Sequence, residues 1–417
     1  MAMLRPLRLA LASLAFLVPA PSWGGPGVAP ISGADMDALP GPEDQFRWSV
    51  AEKTVAHRHF DLLFPSETIA SGDHVLPLVK ADKPISIGFD YDGRRLTIAD
   101  YFARSNATGL LVLKGDRILF ERYARGNGPD THWASRSMAK SVTATLIGIA
   151  LKEGKIHSLD DAVERYVPEL ADTRYGPVTL RQTLQMTSGM PDTEFPSALP
   201  LQACTVKRER GCFIRELKAI AAVDRPDYAK PGTRFSYLSA DVIVNGLVLE
   251  RATGMSPAQY LSSRIWRPFG MERDAYWNLE AEGGATFANS GIGATLRDYG
   301  RFGLFVMQGG RLGDGDMLLP ADWAKDALTP SRASVIAGTP YGFNWWLNPP
   351  KSDAPGISHT YYARGSNGQL IVINPDERLV IVKWAVWDND PAKPSGATAK
   401  DMDDALFDAI IKAAHGR

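Results

Sequence analysis

The sequence predicts an α/β protein in which strands from both ends of the chain form one antiparallel sheet, flanked by helices. Three observations lead to this fold class. Residues 110–123 have the pattern of a β-hairpin. A second group of strand-like segments follows residue 340, and residues 159–284 carry apolar side chains at helical spacings. We therefore expect a sheet domain that is interrupted by an inserted, mostly helical subdomain.

The first 20 residues have the pattern of a secretory signal peptide. Arg5 and Arg8 precede an apolar stretch, residues 9–18, and small residues follow up to Ala20. The apolar stretch is too short to span a bilayer, so we expect no stable membrane anchor. The pattern indicates a secreted or periplasmic protein that is cleaved near Ala20. A disordered N-terminus and a retained anchor are the alternatives.

Composition divides the rest of the chain into three parts. Residues 21–84 are rich in Gly and Pro and weakly periodic, which predicts an extension or linker. Residues 85–158 and 285–417 are expected to form the sheet domain, and residues 159–284 the helical subdomain. The formal net charge of −1 gives no electrostatic reason to expect a nucleic-acid partner. The sequence does not indicate an oligomeric state.

Turn residues, cap residues and apolar spacing predict the following strands and helices, given in chain order. Leu110–Leu113 and Arg117–Tyr123 are predicted strands, joined by a turn. An apolar helix then begins at Ser137 and ends at Gly154, a residue suited to a left-handed cap. Further helices are predicted at residues 159–170, 178–189, 213–223, 239–254, 294–308, 321–328 and 401–415 and from Ser256, and further strands at residues 341–348, 359–365, 368–374 and 378–386.

The chain has two cysteines, Cys204 and Cys212, in and after a polar segment at residues 190–211 that is expected to be a loop. An even number of cysteines closing a short loop in an exported protein favours a disulfide. No His lies nearby, and the chain has no CxxC or HExxH sequence, so we expect no metal site. There is also no Gly-rich phosphate loop or dinucleotide fingerprint, so no cofactor is expected.

One cation in the apolar helix marks a candidate site. Lys140 lies in the first turn, where burial and the positive end of the helix dipole both disfavour a positive charge. Ser137 precedes it by three residues and shares its helix face. This pair suggests a nucleophile beside a basic amine. The alternative is a capping serine followed by a lysine whose amine reaches solvent.

Two later segments could complete such a site. Tyr237 and Ser239 precede a predicted helix, where the Tyr237 hydroxyl could relay a proton or pack in the core. Gly365 and Ser366 lie in the Gly-rich segment 363–369. Its backbone N–H groups could stabilise an oxyanion, or the segment could be a plain hairpin turn.

Together, the three segments resemble the serine β-lactamase and penicillin-binding superfamily. SMAK at Ser137, the Tyr-x-Ser sequence at Tyr237 and ARGSNGQ from Ala363 follow one another in the family's order, and the likeness extends over roughly residues 100–390. The sequence is most similar to the class C-like branch, which contains esterases, D-amino-acid amidases and 6-aminohexanoate-dimer hydrolases. The resemblance implies a DD-peptidase/β-lactamase-like fold.

The resemblance also implies an acyl-enzyme mechanism. Ser137 would be the acylated nucleophile and Lys140 its base, since burial favours the neutral amine that a base requires. Tyr237 would pass a proton to the leaving group and assist the attack of water. The backbone N–H groups of Ser137 and Ser366 would form the oxyanion hole.

The substrate pocket departs from the family's pattern. Ala363–Gly365 stands where lactamases and peptidases carry Lys-Thr-Gly, so Arg364 would replace the missing lysine only if its side chain points inward. The loop after the MTSG sequence lacks the tyrosine that the dimer hydrolases use, and Phe195 is its nearest aromatic residue. The candidate substrate contacts are Ser239, Trp345, Trp346, Arg364 and Gly365, although the two tryptophans could equally be core aromatics.

We therefore predict a secreted serine hydrolase that cleaves an amide or ester bond in a small molecule. The first alternative is a β-lactamase or an enzyme that processes D-Ala peptides, and the second is a catalytically idle member of the fold that binds a ligand. The missing lysine argues against efficient β-lactam hydrolysis. The presence of Ser137, Lys140 and Tyr237 argues against an idle protein.

Overall fold

This computed structural model describes residues 31–191, 194–222, 228–347, 359–388 and 395–415, without the side chains of 194–199 and 395–400. The predicted signal peptide, residues 1–20, lies outside these ranges. The helices are α1 Gly33–Asp37, α2 Val50–Arg58, α3 Phe60–Leu63, α4 Ile98–Ser105, α5 Met138–Lys152, α6 Leu180–Leu184, α7 Glu194–Lys207, α8 Cys212–Ala222, α9 Ser239–Thr253, α10 Pro257–Leu261, α11 Arg267–Phe269, α12 Leu296–Met307, α13 Trp323–Ala327, α14 Arg332–Ile336 and α15 Ser395–Ala414. Short turns of 3-10 or π helix lie at Pro42–Asp44, Val163–Arg165, Pro168–Leu170, Ser262–Trp266 and Ser366–Gly368. The strands are β1 Ser66–Ile69, β2 Val79–Lys80, β3 Gly88–Tyr91, β4 Arg94–Thr97, β5 Ala107–Lys114, β6 Arg117–Tyr123, β7 Trp133–Ala134, β8 Ala275–Asn278, β9 Ile292–Ala294, β10 Trp346–Leu347, β11 Tyr361–Gly365, β12 Gln369–Asn374 and β13 Leu379–Ala385.

Seven of the described strands form the main sheet, in the order β10–β11–β12–β13–β5–β6–β2. Strand β13 from the C-terminal part of the chain pairs with β5 from the N-terminal part, with Val382 opposite Leu111. Neighbouring strands are antiparallel except at one edge, where β2 runs parallel to β6. The predicted sheet built from both chain ends is confirmed, with a parallel edge strand that the sequence did not indicate.

Both faces of the main sheet are covered by helices. Leu111 and Leu113 belong to the core that includes α5 and α12, whereas Leu110 and Val112 belong to the core that includes α4 and α15. Gly300 lets α12 approach the sheet, because a Cβ there would lie 2.9 Å from the side chains of Leu111 and Leu113. Within the described ranges, no helix is long and apolar enough to cross a membrane.

Residues 31–84 of the N-terminal extension are folded, although their sequence predicts a weakly periodic extension or linker. It contains α1–α3 and contributes β1 to a small sheet with β8. Ser49 and Glu52 form a capping box at the start of α2. Trp48 and Phe60 pack in a separate apolar cluster with Ala134, close to the candidate nucleophile. Such short elements leave little periodicity in a sequence, because contacts with the rest of the protein stabilise them.

Three predictions for single elements are wrong. Residues 159–170 form two short 3-10 turns rather than one helix, because Pro168 cannot continue the α-helical hydrogen-bond pattern. The expected polar loop at 190–211 contains the helix α7. Of the predicted strand at 341–348, the described residues contribute only the two-residue strand β10 to the main sheet.

The two cysteines lie where α7 meets α8. The Cα atoms of Cys204 and Cys212 are 5.6 Å apart, and their sulfur atoms form a disulfide. Glu216 lies beside them at a spacing that could hold a metal ion. Because the two sulfur atoms are bonded to each other, they are not thiolates and do not make a metal site.

Candidate active site

The candidate nucleophile Ser137 lies at a sharp turn between β7 and α5. Arg136, just before it, has a φ of +48°, in the left-handed region that few residues other than glycine adopt. Between residues 132 and 150, Ser137 is the only residue that is not buried. Its side chain makes no capping hydrogen bond, so the interpretation as a capping serine is not supported. The turn instead presents Ser137 to an open cleft.

The amine of Lys140 is enclosed beside Ser137 and does not extend to solvent. Lys140 is 1% exposed, and its Nζ lies 3.3 Å from Ser137 Oγ, 3.3 Å from Ser239 Oγ and 3.1 Å from the carbonyl oxygen of Asn289. A neutral amine in this position can donate to Asn289 and Ser239 while its lone pair accepts the Ser137 proton. Asn289 lies in the loop between β8 and β9, and no sequence motif pointed to it.

Tyr237 reaches the same cleft from just before α9. The centroid of its ring lies 5.1 Å from Lys140 Nζ and 5.1 Å from the centroid of the Trp346 ring. Helix α9 packs against α5, which keeps Tyr237 and Ser239 beside Lys140. The structure thus brings together four of the residues that the sequence suggested: Ser137, Lys140, Tyr237 and Ser239.

Strand β11 ends against the nucleophile turn, where Gly365 permits a close approach. A Cβ at Gly365 would lie 2.4 Å from the Ser135 carbonyl oxygen and 3.0 Å from Arg136 Cβ, so a side chain would force the two segments apart. Ser366 follows directly and begins a short 3-10 turn. The Ser366 backbone is therefore held next to the start of α5, where the Ser137 backbone N–H lies.

Gln369 fixes the turn that contains Ser366. Its Nε2 donates hydrogen bonds to the carbonyl oxygens of Ser366 (3.3 Å) and Ala385 (2.7 Å). Its Oε1 accepts a hydrogen bond from Trp133 Nε1 at 2.9 Å. The side chain thus ties the turn to both β13 and β7. A single buried glutamine leaves no pattern in the sequence, and its role was not predicted.

The cleft above Ser137 has a volume of about 650 Å³. Among the candidate substrate contacts, Trp346, Arg364 and Gly365 line it, as does Ser366, but Ser239 and Trp345 do not. Trp345 is 2% exposed and packs edge-on against Tyr361 in the core, with 5.2 Å between the ring centroids. The suggestion that Trp345 contacts substrate is therefore corrected: its ring packs in the core, whereas Trp346 and Leu347, the two residues of β10, line the cleft.

Arg364 packs on an aromatic ring of its own strand. Its guanidinium lies over the ring of Tyr362, 4.5 Å from the centroid. Tyr362 belongs to the core beneath α15, whereas Ala363 belongs to the core around α5. Because alternate residues of a strand face opposite sides, Arg364 lies on the α15 face, where it lines the cleft together with Tyr362 and Asp404. It cannot stand where the family's Lys-Thr-Gly lysine would be.

Comparisons with known proteins find similar sequences and structures. The sequence profile of the Beta-lactamase family matches residues 97–402. The sequence is 29% identical to the 6-aminohexanoate-dimer hydrolase of Paenarthrobacter ureafaciens over 296 residues, which are 66% of this chain and 72% of the relative. It is 21% identical to a D-alanyl-D-alanine carboxypeptidase candidate of Escherichia coli K12, over 76% of this chain and 87% of the relative.

A solved structure from Bacillus anthracis, described as a candidate 6-aminohexanoate-dimer hydrolase, has the same fold. It superposes with a TM-score of 0.72 at 21% identity, covering 91% of this chain and 98% of that chain. The structural neighbour shows the fold, and the family profile covers most of the chain. The chain belongs to the beta-lactamase family, within the superfamily of serine β-lactamases and penicillin-binding proteins.

Proposed function

We propose that the protein is a serine hydrolase that cleaves an amide or ester bond in a small molecule through an acyl-enzyme on Ser137. The observation that carries this proposal is the 3.3 Å contact between Lys140 Nζ and Ser137 Oγ, made inside a buried setting at the floor of an open cleft. A buried amine beside a hydroxyl can remove its proton as that hydroxyl attacks a carbonyl carbon.

In this mechanism the neutral Lys140 takes the Ser137 proton while Ser137 Oγ bonds to the substrate carbonyl carbon. The negative charge that develops on the carbonyl oxygen is stabilised by the backbone N–H groups of Ser137 and Ser366. The proton then passes, by way of Tyr237, to the departing amine or alcohol. Water, deprotonated by the same groups, releases the acid and restores the Ser137 hydroxyl.

The cleft favours an amide or ester with apolar parts over a β-lactam. Tyr237, Trp346 and Trp387 supply aromatic walls. Ala363 replaces the lysine that would bind a β-lactam carboxylate, and Arg364 lies on the other face of the strand. The likeness to a 6-aminohexanoate-dimer hydrolase supports an amide or ester substrate class.

A β-lactamase or D-Ala-peptide-processing activity is the second candidate, favoured by the relationship to the carboxypeptidase candidate of Escherichia coli. A ligand-binding protein without activity is the third. It is disfavoured because a binding protein has no need of the enclosed amine of Lys140. We also propose that the protein is exported and cleaved near Ala20. Sequencing the N-terminus of the protein from a periplasmic fraction tests that location.

Labelling with a fluorophosphonate tests the nucleophile. We expect one covalent adduct on Ser137 in the wild-type protein, no adduct in Ser137→Ala and nearly none in Lys140→Ala. Lys152→Ala is the matched control, because Lys152 is the exposed lysine at the far end of the same helix. An adduct on another residue, or wild-type turnover by Ser137→Ala, contradicts the mechanism.

Three substrates separate the candidate activities. Turnover of a nitrophenyl ester or a short amide, with little turnover of a chromogenic cephalosporin, supports the amidase or esterase. Cephalosporin turnover of similar efficiency supports the β-lactamase. No labelling of Ser137, together with no turnover of any of the three, supports the inactive binding protein.

A further inference from the structure

The folded N-terminal extension encloses the side chain of Arg136, the residue before the candidate nucleophile. Arg136 is 7% exposed, its Nε donates a hydrogen bond of 3.2 Å to His57 Nε2, and its Nη1 donates one of 3.2 Å to Gln45 Oε1. Its guanidinium carbon lies 4.5 Å from the centroid of the Phe60 ring. We call this group of extension side chains the N-terminal clamp; its members are Gln45, Trp48, Lys53, His57 and Phe60.

Within the described part of the chain, Arg136 forms no ion pair with a carboxylate. Burial lowers its pKa to about 10, which still leaves it charged at neutral pH. A buried cation that is held only by neutral acceptors and aromatic faces is an expensive way to stabilise a fold, since an apolar side chain of similar size would avoid the desolvation. The arrangement therefore points to a role other than stability.

His57 orients the clamp through a fixed tautomer. It is fully buried, and its Nδ1 lies 2.7 Å from the backbone carbonyl oxygen of Lys53. That oxygen can only accept, so Nδ1 carries the proton and Nε2 is free to accept from Arg136. Burial, together with the positive charge of Arg136, holds the pKa of His57 well below its ordinary value of 6.5. His57 thus stays neutral, and its hydrogen bond from Arg136 is kept.

Lys53 links the clamp to Trp387, a residue that lines the cleft. Its Nζ donates a hydrogen bond of 2.9 Å to the carbonyl oxygen of Trp387. The backbone N–H of Trp387 donates to the Asn367 carbonyl oxygen at 3.2 Å. Its indole covers Gly368, where a Cβ would lie 2.6 Å from the ring. Trp387 thereby supports the turn that begins at Ser366.

We propose that the N-terminal clamp is a positioning element of the active site, which holds the backbones of Ser137 and Ser366 at the spacing that an oxyanion requires. The inference rests on the proposed function. The clamp contacts Arg136, which packs against Gly365 at the floor of the cleft. Through Lys53 and Trp387, the clamp also supports the turn that begins at Ser366. The clamp lies outside residues 97–402, the part of the chain that the family profile matches.

Replacing Lys53 with methionine tests the clamp at its contact with Trp387. Lys53→Met keeps the length of the side chain but removes the donor to Trp387. We expect kcat for an ester and the rate of labelling by a fluorophosphonate to fall about tenfold to a hundredfold, because small displacements of catalytic groups have effects of this size. KM should change less than kcat, since every side chain that lines the cleft is retained in this variant. Lys53→Arg, which can still donate to Trp387, should recover part of the loss.

Arg58→Met is the matched control. Arg58 lies on the same helix and holds Asp35 at 2.8 Å, away from the clamp. We expect this variant to unfold at a lower temperature but to keep its kcat. Each variant is assayed well below its own unfolding temperature. If Lys53→Met does not fold, Gln45→Met removes an acceptor of Arg136 at nearly constant volume, and the same loss of kcat at unchanged KM is expected.

The proposal is overturned if a folded clamp variant keeps the wild-type kcat and labelling rate. It is also overturned if Arg58→Met loses as much kcat as Lys53→Met, because the extension would then act only by general stabilisation. Failure of the proposed function has a different signature, since the wild-type protein itself would then form no adduct on Ser137, and the clamp would have no oxyanion hole to position.

Discussion

Tyr175 donates a hydrogen bond of 2.9 Å to the carboxyl group of Asp241, which is fully buried in the first turn of α9, two residues beyond Ser239. Burial raises the pKa of Asp241 from an ordinary value of 3.8 to about 7, while hydrogen bonds from Ser188 and Tyr175 act in the opposite direction. The first turn of α9, the helix of Ser239, thus contains a buried carboxyl group that loses its proton near neutral pH.

The first prediction is that the unfolding free energy depends on pH through Asp241, and that Asp241→Asn removes this dependence. Because the pKa of Asp241 is higher in the folded state, folding is favoured by the protonated form; this stabilisation is complete below pH 3.8 and is lost as the pH rises to about 7. Between about pH 5 and pH 8, the wild-type protein should lose about 3 kcal/mol of unfolding free energy that Asp241→Asn keeps.

Urea unfolding at a series of pH values measures this difference. The exposed Asp172 provides the control, because Asp172→Asn should follow the wild-type profile. Parallel profiles for wild type and Asp241→Asn would show that the ionisation of Asp241 is not linked to folding.

The second prediction concerns the contact between β11 and the nucleophile turn. Gly365→Ala places a Cβ 2.4 Å from the Ser135 carbonyl oxygen, so the strand must move away from the start of α5. We expect kcat/KM for an ester to fall on the order of a hundredfold, because the Ser366 backbone moves with Gly365. Gly313→Ala is the control, since a Cβ there meets nothing within 4 Å. Equal activity of the two variants would count against an oxyanion hole at Ser366.

The parts of the molecule that were predictable are those in which nearby residues carry the signal. Ser137 and Lys140 share one helix turn, and Lys140, the one charged residue between Ser137 and Leu151, is visible without a structure. Strand β5 is buried on both faces and therefore reads as a continuous apolar run. In each case the physical constraint acts within a few residues, so it leaves a pattern in the sequence.

The parts that were missed depend on contacts between distant segments. Asn289 meets Lys140 across 149 positions of sequence, and Gln369 meets Trp133 across 236. Neither residue stands in a pattern that sets it apart. The N-terminal extension was underestimated for the same reason, since its α2 contains side chains whose partners are Arg136 and Trp387. The sequence contains the residue types that make such contacts, but only the folded packing shows which residues become partners.

The third prediction follows from the buried amide of Gln369. Gln369→Met removes the donor to Ser366 and leaves Trp133 Nε1 and backbone groups of Ala385 without their partner. We expect roughly 2 to 4 kcal/mol less unfolding free energy, because buried polar groups are left unpaired, and a kcat more than about tenfold lower, because the Ser366 turn loses its support. Gln308, an exposed glutamine, supplies the control variant Gln308→Met. A stable Gln369→Met protein with full activity would contradict this role.

The fourth prediction separates stability from catalysis at the disulfide. Cys204 and Cys212 lie outside the residues that line the cleft, and their bond closes a loop with a sequence separation of 8. Thiol titration of the unfolded, unreduced protein should detect no free thiol. Replacing both cysteines with serine should lower the unfolding free energy by roughly 2 to 3 kcal/mol, as expected when a short loop is no longer closed. The double variant should keep its kcat and KM when it is assayed below its unfolding temperature. A large loss of kcat in this folded variant would mean that the junction of α7 and α8 supports the cleft, and free thiols in the unreduced protein would mean that the bond does not form.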